Sequence, residues 1–231
     1  MVVGQLQNTL DYPHQASKFK RSGLADWLEL YFHDHGFLRI AFHNLYQIDK
    51  NMWRSNQPSP KQIEIAQKNL GIKTILNLRG PRESGGWQLE AEACDKMGIE
   101  LVNFRVRSRA APEKEMLLKL PELFSSIQQP TLLHCKSGAD RAGLMSALYM
   151  LMVMKQPAIE ASKQLSCKYL HVKQAKTGIL DAFIASYIPF ESQGMEFMRW
   201  VEEVYEPEKL VQEFKAQPLA TRFVDSILKR E

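Results

Sequence analysis

The chain has 231 residues, of which 45% are hydrophobic and 24% charged, a composition typical of a soluble globular protein with one domain and extensions. Three cysteines are too few for a disulfide scaffold and favour a reducing compartment. A formal net charge of +4 gives no ground for a nucleic-acid partner. The N-terminus lacks a signal-peptide pattern, and the longest apolar run, residues 142–154, is shorter than the roughly 20 residues that span a bilayer, so we expect a cytoplasmic protein.

The N-terminal third predicts an extension, a hairpin and a capped helix. Residues 1–22 are polar and unpatterned, which predicts a poorly ordered tail. Residues 24–48 are rich in aromatic and aliphatic side chains and predict one helix, a break and a second helix or strand. The sequence LYQIDKNMWRS predicts a β-hairpin turned at residues 49–51, and residues 59–70 begin with a Ser-Pro pair that caps a helix.

Strands and helices alternate through the middle of the chain. Strands are predicted at residues 73–78, 99–106 and 131–134, and helices at residues 88–97, at residues 113–128 and from residue 141. This alternation predicts an α/β fold with a mostly parallel central sheet flanked by helices. Further helices are predicted at residues 158–168, 178–187, 195–205 and 207–229.

The stretch LLHCKSGADRAGL, at residues 132–144, contains an apolar strand that ends in His-Cys and an apolar helix that opens at Arg141. A tight loop between them curls its backbone N–H groups into an anion-binding nest, and the helix N-terminus adds positive potential. We therefore expect Cys135 to be a thiolate and a nucleophile. Arg141 can hold two phosphate oxygens through its planar guanidinium, while Cys135 attacks phosphorus to form a cysteinyl-phosphate that water later hydrolyses.

HCKSGADR has the His-Cys, five residues, Arg spacing, and here the chain resembles the protein tyrosine phosphatase superfamily. The upstream pattern LYQIDKNMWRSNQPSPKQIE…LGIKTILNLRG resembles its atypical bacterial, dual-specificity-like members. The resemblance covers about residues 44–180. It implies a cysteine phosphatase fold, with a phosphatase domain at residues 23–190 that includes an N-terminal helical extension, and a C-terminal helical extension at residues 191–231.

The resemblance also implies roles for the loop residues. Cys135 and Arg141 would be catalytic, and His134 would orient the loop and modulate the cysteine. The remaining loop residues that would contact the phosphate are Lys136, Ser137, Gly138 and Ala139. Chemistry of this kind needs no cofactor, and no spacing of Cys, His and Asp matches a metal site.

The sequence departs from the family pattern at the general acid. Most members use an Asp roughly 30 residues before the nucleophile, but no Asp occurs between residues 96 and 139. Asp140, inside the loop as in the myotubularin-like lipid phosphatases, is our candidate acid, with Glu113 or Glu115 as the alternative. Ala142 stands where the family has Ser or Thr, so slower turnover is expected unless Ser137 supplies the hydroxyl.

Basic residues are concentrated where the substrate would lie. Arg105, Arg107 and Arg109 alternate along a predicted extended segment, and Arg79 and Arg82 follow a predicted strand, at the edge where α/β sites assemble. A basic rim favours a substrate with more than one negative group: a phosphorylated lipid, a phosphosugar such as lipid A, or a phosphoprotein. By resemblance, Gln174 and Lys176 are candidates for positioning the attacking water.

Several alternatives stay open. A phosphate-binding pseudophosphatase with weak catalysis and a rhodanese-like sulfurtransferase both place a Cys in a similar cradle. The aromatic segment at residues 27–42 is expected to pack on the core, with peripheral contact at the inner face of a membrane as the alternative. Cys94 and Cys167 are interpreted as packing residues. Nothing in the sequence indicates an oligomeric state.

Overall fold

The computed structural model describes residue 23, residues 43–81 and residues 84–216. The predictions for residues 1–22 and 24–42, for Arg82, and for the predicted 207–229 helix beyond residue 216 fall outside them. Within the described part of the chain, no helix has both the length and the apolar character needed to cross a membrane.

The chain divides into two compact units. The first comprises Ile127–Ala142 together with the described residues up to Val106. The second comprises Arg107–Ser126 together with the described residues from Gly143 onward. Two separate stretches of the chain thus form the first unit, and the second stretch contains the His-Cys motif.

The first unit is built on a five-stranded sheet in the order β1-β2-β5-β3-β4. Its strands are β1 (Tyr46–Gln47), β2 (Met52–Asn56), β3 (Thr74–Asn77), β4 (Glu100–Asn103) and β5 (Thr131–Cys135). β1 is antiparallel to β2, and the other neighbouring strands are parallel, so the predicted α/β fold with a mostly parallel sheet is confirmed. β5 lies in the middle with all its residues buried, as expected for a short apolar strand of a parallel sheet.

The helices are α1 (Pro60–Leu70), α2 (Gly85–Met97), α3 (Lys114–Leu118), α4 (Leu120–Ser126), α5 (Asp140–Met152), α6 (Ala158–Ser162), α7 (Ile179–Glu191), α8 (Phe197–Glu203) and α9 (Pro207–Ala216). Single 3₁₀ turns occupy Cys167–Tyr169 and Lys176–Gly178. α1 and α2 belong to the first unit, and α5 begins there and continues into the second. Both predicted N-terminal features of the first unit are present. The 49–51 turn is closed by the Asp49 carboxylate, and α1 begins with a reciprocal capping box between Ser59 and Gln62.

Three predicted elements end well before their expected limits, two of them for a local reason. The predicted 113–128 helix is divided at Lys119, because Pro121 has no N–H to continue the hydrogen-bond ladder. The predicted 158–168 helix ends at Ser162, whose hydroxyl donates to the carbonyl of Ile159 and competes with the backbone. The predicted 99–106 strand ends at Asn103, although the chain beyond it still donates to the loop after β3.

The second unit has an aromatic core of its own. Trp200 of α8 lies 5.3 Å, centroid to centroid, from Tyr187 of α7 and 5.0 Å from Tyr205. The Tyr205 hydroxyl donates to the carbonyl of Pro112 at 2.8 Å, and burial raises the pKa of Tyr205. α8 and α9 therefore belong to the same unit as α7, while the domain limits at residues 23, 190 and 231 stay predictions.

Candidate active site

The predicted phosphate loop joins the end of the central strand to the first turn of α5. Cys135, the last residue of β5, is 2% exposed. Asp140 and Arg141 are the first two residues of α5 and are half-buried. The N-terminus of this 13-residue helix adds the positive end of its dipole to the loop.

A buried arginine holds the second half of the loop. Arg54, on β2, is 0% exposed, and its Nη2 donates to the carbonyl of Gly138 at 2.7 Å and to that of Ala139 at 3.1 Å. A charged donor shared between two carbonyls is among the stronger hydrogen-bonding arrangements in proteins. It fixes the orientation of two successive peptide planes.

The first half of the loop is held in the same way. The side-chain amide of Asn44 donates to the carbonyl of Ser137 at 3.0 Å, and the backbone N–H of Gln57 donates to that of Lys136 at 3.4 Å. In a trans peptide the C=O and the following N–H point in opposite directions. Because the carbonyls of residues 136–139 face these donors, the next N–H groups face the other way, which is the arrangement of an anion-binding nest.

Gly138 is required by this geometry. Its φ of +76° lies in the left-handed region that favours glycine. A Cβ there would lie 2.7 Å from the backbone N of Asn56 and 2.8 Å from the carbonyl carbon of Ser55. Both are backbone atoms of the neighbouring region of β2, so they cannot move aside as a flexible side chain would.

Behind the loop lies a buried polar network. His134 Nε2 is 2.5 Å from Glu90 Oε1, and both side chains are 0% exposed. Glu90 Oε2 accepts from the side-chain amide of Gln57 at 3.0 Å, and Gln57 Oε1 accepts from Arg79 Nη1. Arg79, predicted to bind substrate at the rim, is therefore buried at 6% exposure and bonded within the first unit.

Four other predicted substrate residues belong to the second unit. Arg107 is exposed and forms an ion pair with Glu113 at 3.1 Å, which gives the alternative general acid a cationic partner. Arg109 and Lys176 are exposed, and Gln174 is half-buried. Their roles toward the substrate stay predictions.

The loop that carries Gln174 and Lys176 has a tightly determined conformation. His171 Nε2 is 2.7 Å from Asp181 Oδ2, which ties the start of the loop to α7. At its end, a Cβ on Gly178 would lie 1.9 Å from the carbonyl oxygen of Lys173, so only glycine fits. Contacts at both ends of the loop thus define its conformation.

The two remaining cysteines differ from one another. Cys94 is buried on α2, and burial, with a smaller contribution from the charge of Glu90, raises the pKa of its thiol well above 9.0. Cys167 is exposed, so the interpretation of both as packing residues is right for Cys94 and wrong for Cys167. Cys167 begins a 3₁₀ turn that follows the early end of α6, and this turn leaves its side chain outside the core.

Two further expectations concern the loop and metals. Ser137 is exposed, and its hydroxyl oxygen accepts from the backbone N–H of Ala139 at 3.4 Å, while Ala142 is buried. Ser137 is therefore the hydroxyl-bearing residue within the loop.

Among the described residues, no cluster of His, Cys, Asp and Glu is arranged to hold a metal ion.

Sequence reasoning missed the residues that support the loop: Asn44, Arg54, Gln57 and Glu90. Two of them carried a weak signal. Arg54 is a charge inside a strand, and Glu90 lies four residues before Cys94, on the buried face of α2. Neither signal says which group the side chain reaches, because their partners are 33 or more residues away in the chain.

Solved structures of other proteins share this fold. The crystal structure of Pseudomonas aeruginosa TpbA superposes with a TM-score of 0.52 at 17% identity, covering 62% of this chain and 84% of that one. The core catalytic domain of the PP-IP phosphatase SIW14 from S. cerevisiae gives a TM-score of 0.50 at 18% identity, covering 65% and 91%. The fold is that of the protein tyrosine phosphatases.

The family is defined more closely by sequence. A family model described as "DSP-PTPase phosphatase fused to NAD+ Kinase" matches residues 41–180, and the chain belongs to this family of dual-specificity-type phosphatase domains. The dual specificity protein phosphatase TpbA of Pseudomonas aeruginosa strain UCBPP-PA14 is 27% identical over 121 residues, covering 51% of this chain and 52% of the relative. The chain thus spans about half the length of the curated relatives it matches. The predicted superfamily is confirmed.

Proposed function

We propose that the chain is a cysteine-dependent phosphatase that hydrolyses phosphate monoesters through a cysteinyl-phosphate intermediate. The observation that carries the proposal is the loop from Cys135 to Arg141. Its carbonyls are held outward by Asn44, Arg54 and Gln57, which turns the following N–H groups toward the side where an anion would bind, beside a cysteine.

In the first step, the thiolate of Cys135 attacks phosphorus while the loop N–H groups and the Arg141 guanidinium hold the non-bridging oxygens. The S–P bond forms and the ester P–O bond breaks. Asp140, at the start of α5, gives its proton to the leaving oxygen, which departs as an alcohol.

In the second step, water attacks phosphorus and the S–P bond breaks. Inorganic phosphate leaves, and Cys135 is released as a thiolate. The carboxylate of Asp140 takes the proton from the attacking water, which restores the acid form for the next cycle. By resemblance, Gln174 and Lys176 are our candidates for orienting that water.

The proposed substrate carries more than one negative group. Basic residues are concentrated in the parts of the sequence predicted to surround the substrate, which supports this proposal. Arg105, Arg107 and Arg109 are exposed, and Lys136 is half-buried in the loop. A phosphorylated lipid or phosphosugar and a phosphoprotein are all included. TpbA has been crystallised with phosphotyrosine, and SIW14 is described as a PP-IP phosphatase, which supports both kinds of substrate. Cytoplasmic location, with a peripheral membrane contact for a lipid substrate, belongs to the same proposal.

Hydrolysis of an aryl phosphate by the full chain tests the class. We expect activity that is unaffected by chelators and abolished in Cys135→Ser, whereas Cys167→Ser, which changes an exposed cysteine, keeps it. No hydrolysis by the wild-type chain would favour the pseudophosphatase. Sulfur transfer from thiosulfate to cyanide without hydrolysis would favour the sulfurtransferase.

A substrate panel then separates the subclasses. Phosphotyrosine peptide, phosphoinositides, phosphatidylglycerophosphate and lipid A-type phosphosugars should be compared at equal concentration. NADP⁺ belongs in the panel because the family description joins this phosphatase to NAD⁺ kinase. Higher kcat/KM on the polyanionic members than on a phosphotyrosine peptide lacking acidic residues supports the substrate proposal, and the reverse order contradicts it.

A further inference from the structure

Two hydrogen bonds join the C-terminal part of the chain to the segment around the start of α3. The Tyr205 hydroxyl donates to the carbonyl of Pro112 at 2.8 Å. Lys114 Nζ donates to the carbonyl of Glu202, on α8, at 2.7 Å. All four residues belong to the second unit. The family model ends at residue 180, so the family match assigns no role to these contacts.

The bond from Tyr205 is the stronger of the two. Tyr205 is 3% exposed and Pro112 is buried, whereas the bond from Lys114 is exposed to solvent. A buried carbonyl that loses its donor keeps the full cost of its desolvation. An exposed bond competes with water, and its net contribution to stability is small.

The position of the Tyr205 ring is fixed by its neighbours. Its centroid lies 5.0 Å from that of Phe183 and 5.0 Å from that of Trp200. Its backbone N–H also donates to the carbonyl of Trp200, at 2.9 Å. Burial, with a smaller contribution from the charge of Glu208, raises the pKa of Tyr205, so the phenol keeps its proton well above neutral pH. The donor to Pro112 is thus constant in place and in protonation.

The 107–113 segment is closed on itself by a second, weaker contact. Arg107 and Glu113, at its two ends, form the ion pair at 3.1 Å, and both side chains are more than half exposed. Exposed ion pairs contribute little to stability. Of these two contacts, the buried bond to Pro112 is therefore the stronger constraint on the segment.

We propose that Tyr205 is a positioning residue through which the C-terminal part of the chain clamps the 107–113 segment. The clamp itself rests on the contacts above. Its kinetic consequence rests on the proposed function, in which Arg107 and Arg109 bind extra negative groups of the substrate. An arginine on an ordered backbone loses less conformational entropy when it binds an anion. Loosening the segment therefore weakens the binding of polyanions and leaves the steps at Cys135 unchanged.

Hydrogen–deuterium exchange of the full chain measures the clamp without any enzymatic activity. The peptides that contain residues 107–118 are followed by mass spectrometry. We expect their exchange to be about five- to tenfold faster in Tyr205→Phe than in the wild type, the range of one lost hydrogen bond.

Tyr187→Phe is the matched control, and its exchange in residues 107–118 should equal that of the wild type. The Tyr187 hydroxyl donates to the carbonyl of Met195 at 2.7 Å, and its ring lies 5.3 Å from that of Trp200. The control thus removes a similar bond, to a different carbonyl, from the same aromatic core. Unchanged exchange in Tyr205→Phe, or an equal increase in both variants, would overturn the proposal.

If Tyr205→Phe does not fold, Lys114→Met takes its place. This variant removes the solvent-exposed bond to Glu202, and with it the second link between the segment and α8. We then expect exchange in residues 107–118 to be about twofold faster than in the wild type, as for a weak surface contact. Exchange equal to that of the wild type would overturn the proposal.

Inhibition of aryl phosphate hydrolysis tests the consequence for the substrate. We expect Tyr205→Phe to weaken inhibition by inositol hexakisphosphate about three- to tenfold. Inhibition by inorganic phosphate, and kcat and KM for the aryl phosphate, should stay within about twofold of the wild type. Equal weakening for both inhibitors, or faster exchange with unchanged inhibition, would overturn the link to the substrate.

Failure of the proposed function gives a different result. If the wild-type chain hydrolyses nothing, or the hexakisphosphate does not inhibit it, the proposed function fails in its catalytic or its polyanion part. The exchange data still decide whether Tyr205 clamps the segment.

Discussion

Replacing Arg54 by methionine tests the claim that the loop is held from behind. The side chain is 0% exposed and donates to two loop carbonyls, at 2.7 and 3.1 Å. Hydrogen bonds to charged groups contribute about 1.5–3 kcal/mol each, or about 3–6 kcal/mol for two. Methionine also removes the cost of burying a guanidinium, which offsets part of that loss. We expect the free energy of unfolding of Arg54→Met to fall by about 2–4 kcal/mol.

Equilibrium unfolding in urea measures this change, provided that the slope of the transition is unaltered. Arg199→Met is the control, because Arg199 pairs with Glu203 on an exposed helix face and should change stability by less than about 0.5 kcal/mol. Inhibition by inorganic phosphate should weaken at least about tenfold in folded Arg54→Met, equivalent to about 1.4 kcal/mol. Stability within about 0.5 kcal/mol of the wild type, with unchanged phosphate inhibition, would refute the reasoning.

Three further changes test separate parts of the account. Gly138→Ala and Gly71→Ala both place a Cβ at positive φ, which costs about 1–3 kcal/mol. Only Gly138→Ala should abolish aryl phosphate hydrolysis, because nothing lies within 4 Å of the added Cβ at Gly71, and equal activities would contradict the nest geometry. Asp140→Asn should lose about 10²–10⁴-fold on alkyl phosphates and much less on aryl phosphates, whose leaving groups need little protonation; equal losses would exclude it as the acid. Burial raises the pKa of the Cys94 thiol, so the neutral thiol stabilises the fold below about pH 9, and this stabilisation is lost as the pH rises further. The free energy of unfolding should therefore fall less between about pH 7 and pH 10 in Cys94→Ala than in the wild type. An equal fall in both proteins would contradict the raised pKa.

Much of the fold could be predicted because its signals are local. The Ser59-Pro60 cap and the 49–51 turn each depend on side chains bonding to backbone within three residues. The phosphate loop is equally local, because an apolar strand, a glycine and a helix start occur within 13 consecutive residues. One missed break was also local: Pro121 divides the predicted 113–128 helix, and the long apolar periodicity concealed it.

The support of the loop could not be predicted, because it depends on which strands are neighbours. Arg54 reaches Gly138 only because β2 pairs with β5, and Glu90 reaches His134 only because α2 packs against the sheet behind β5. Arg79 shows the converse error. Its position after β3 was predicted correctly, but we inferred from it that the side chain lies at the rim of the site. In the structure the side chain is buried and donates to Gln57.

Trapping the phosphoenzyme tests the central claim most directly. The wild-type chain is mixed with an aryl phosphate, quenched within one turnover and digested, and the peptide that contains residues 131–141 is analysed by mass spectrometry. The account predicts one phosphoryl group on Cys135 in the wild type and none in Cys135→Ser, which should not hydrolyse the substrate. Full hydrolysis by Cys135→Ser, or a phosphoryl group on a different residue, would contradict it.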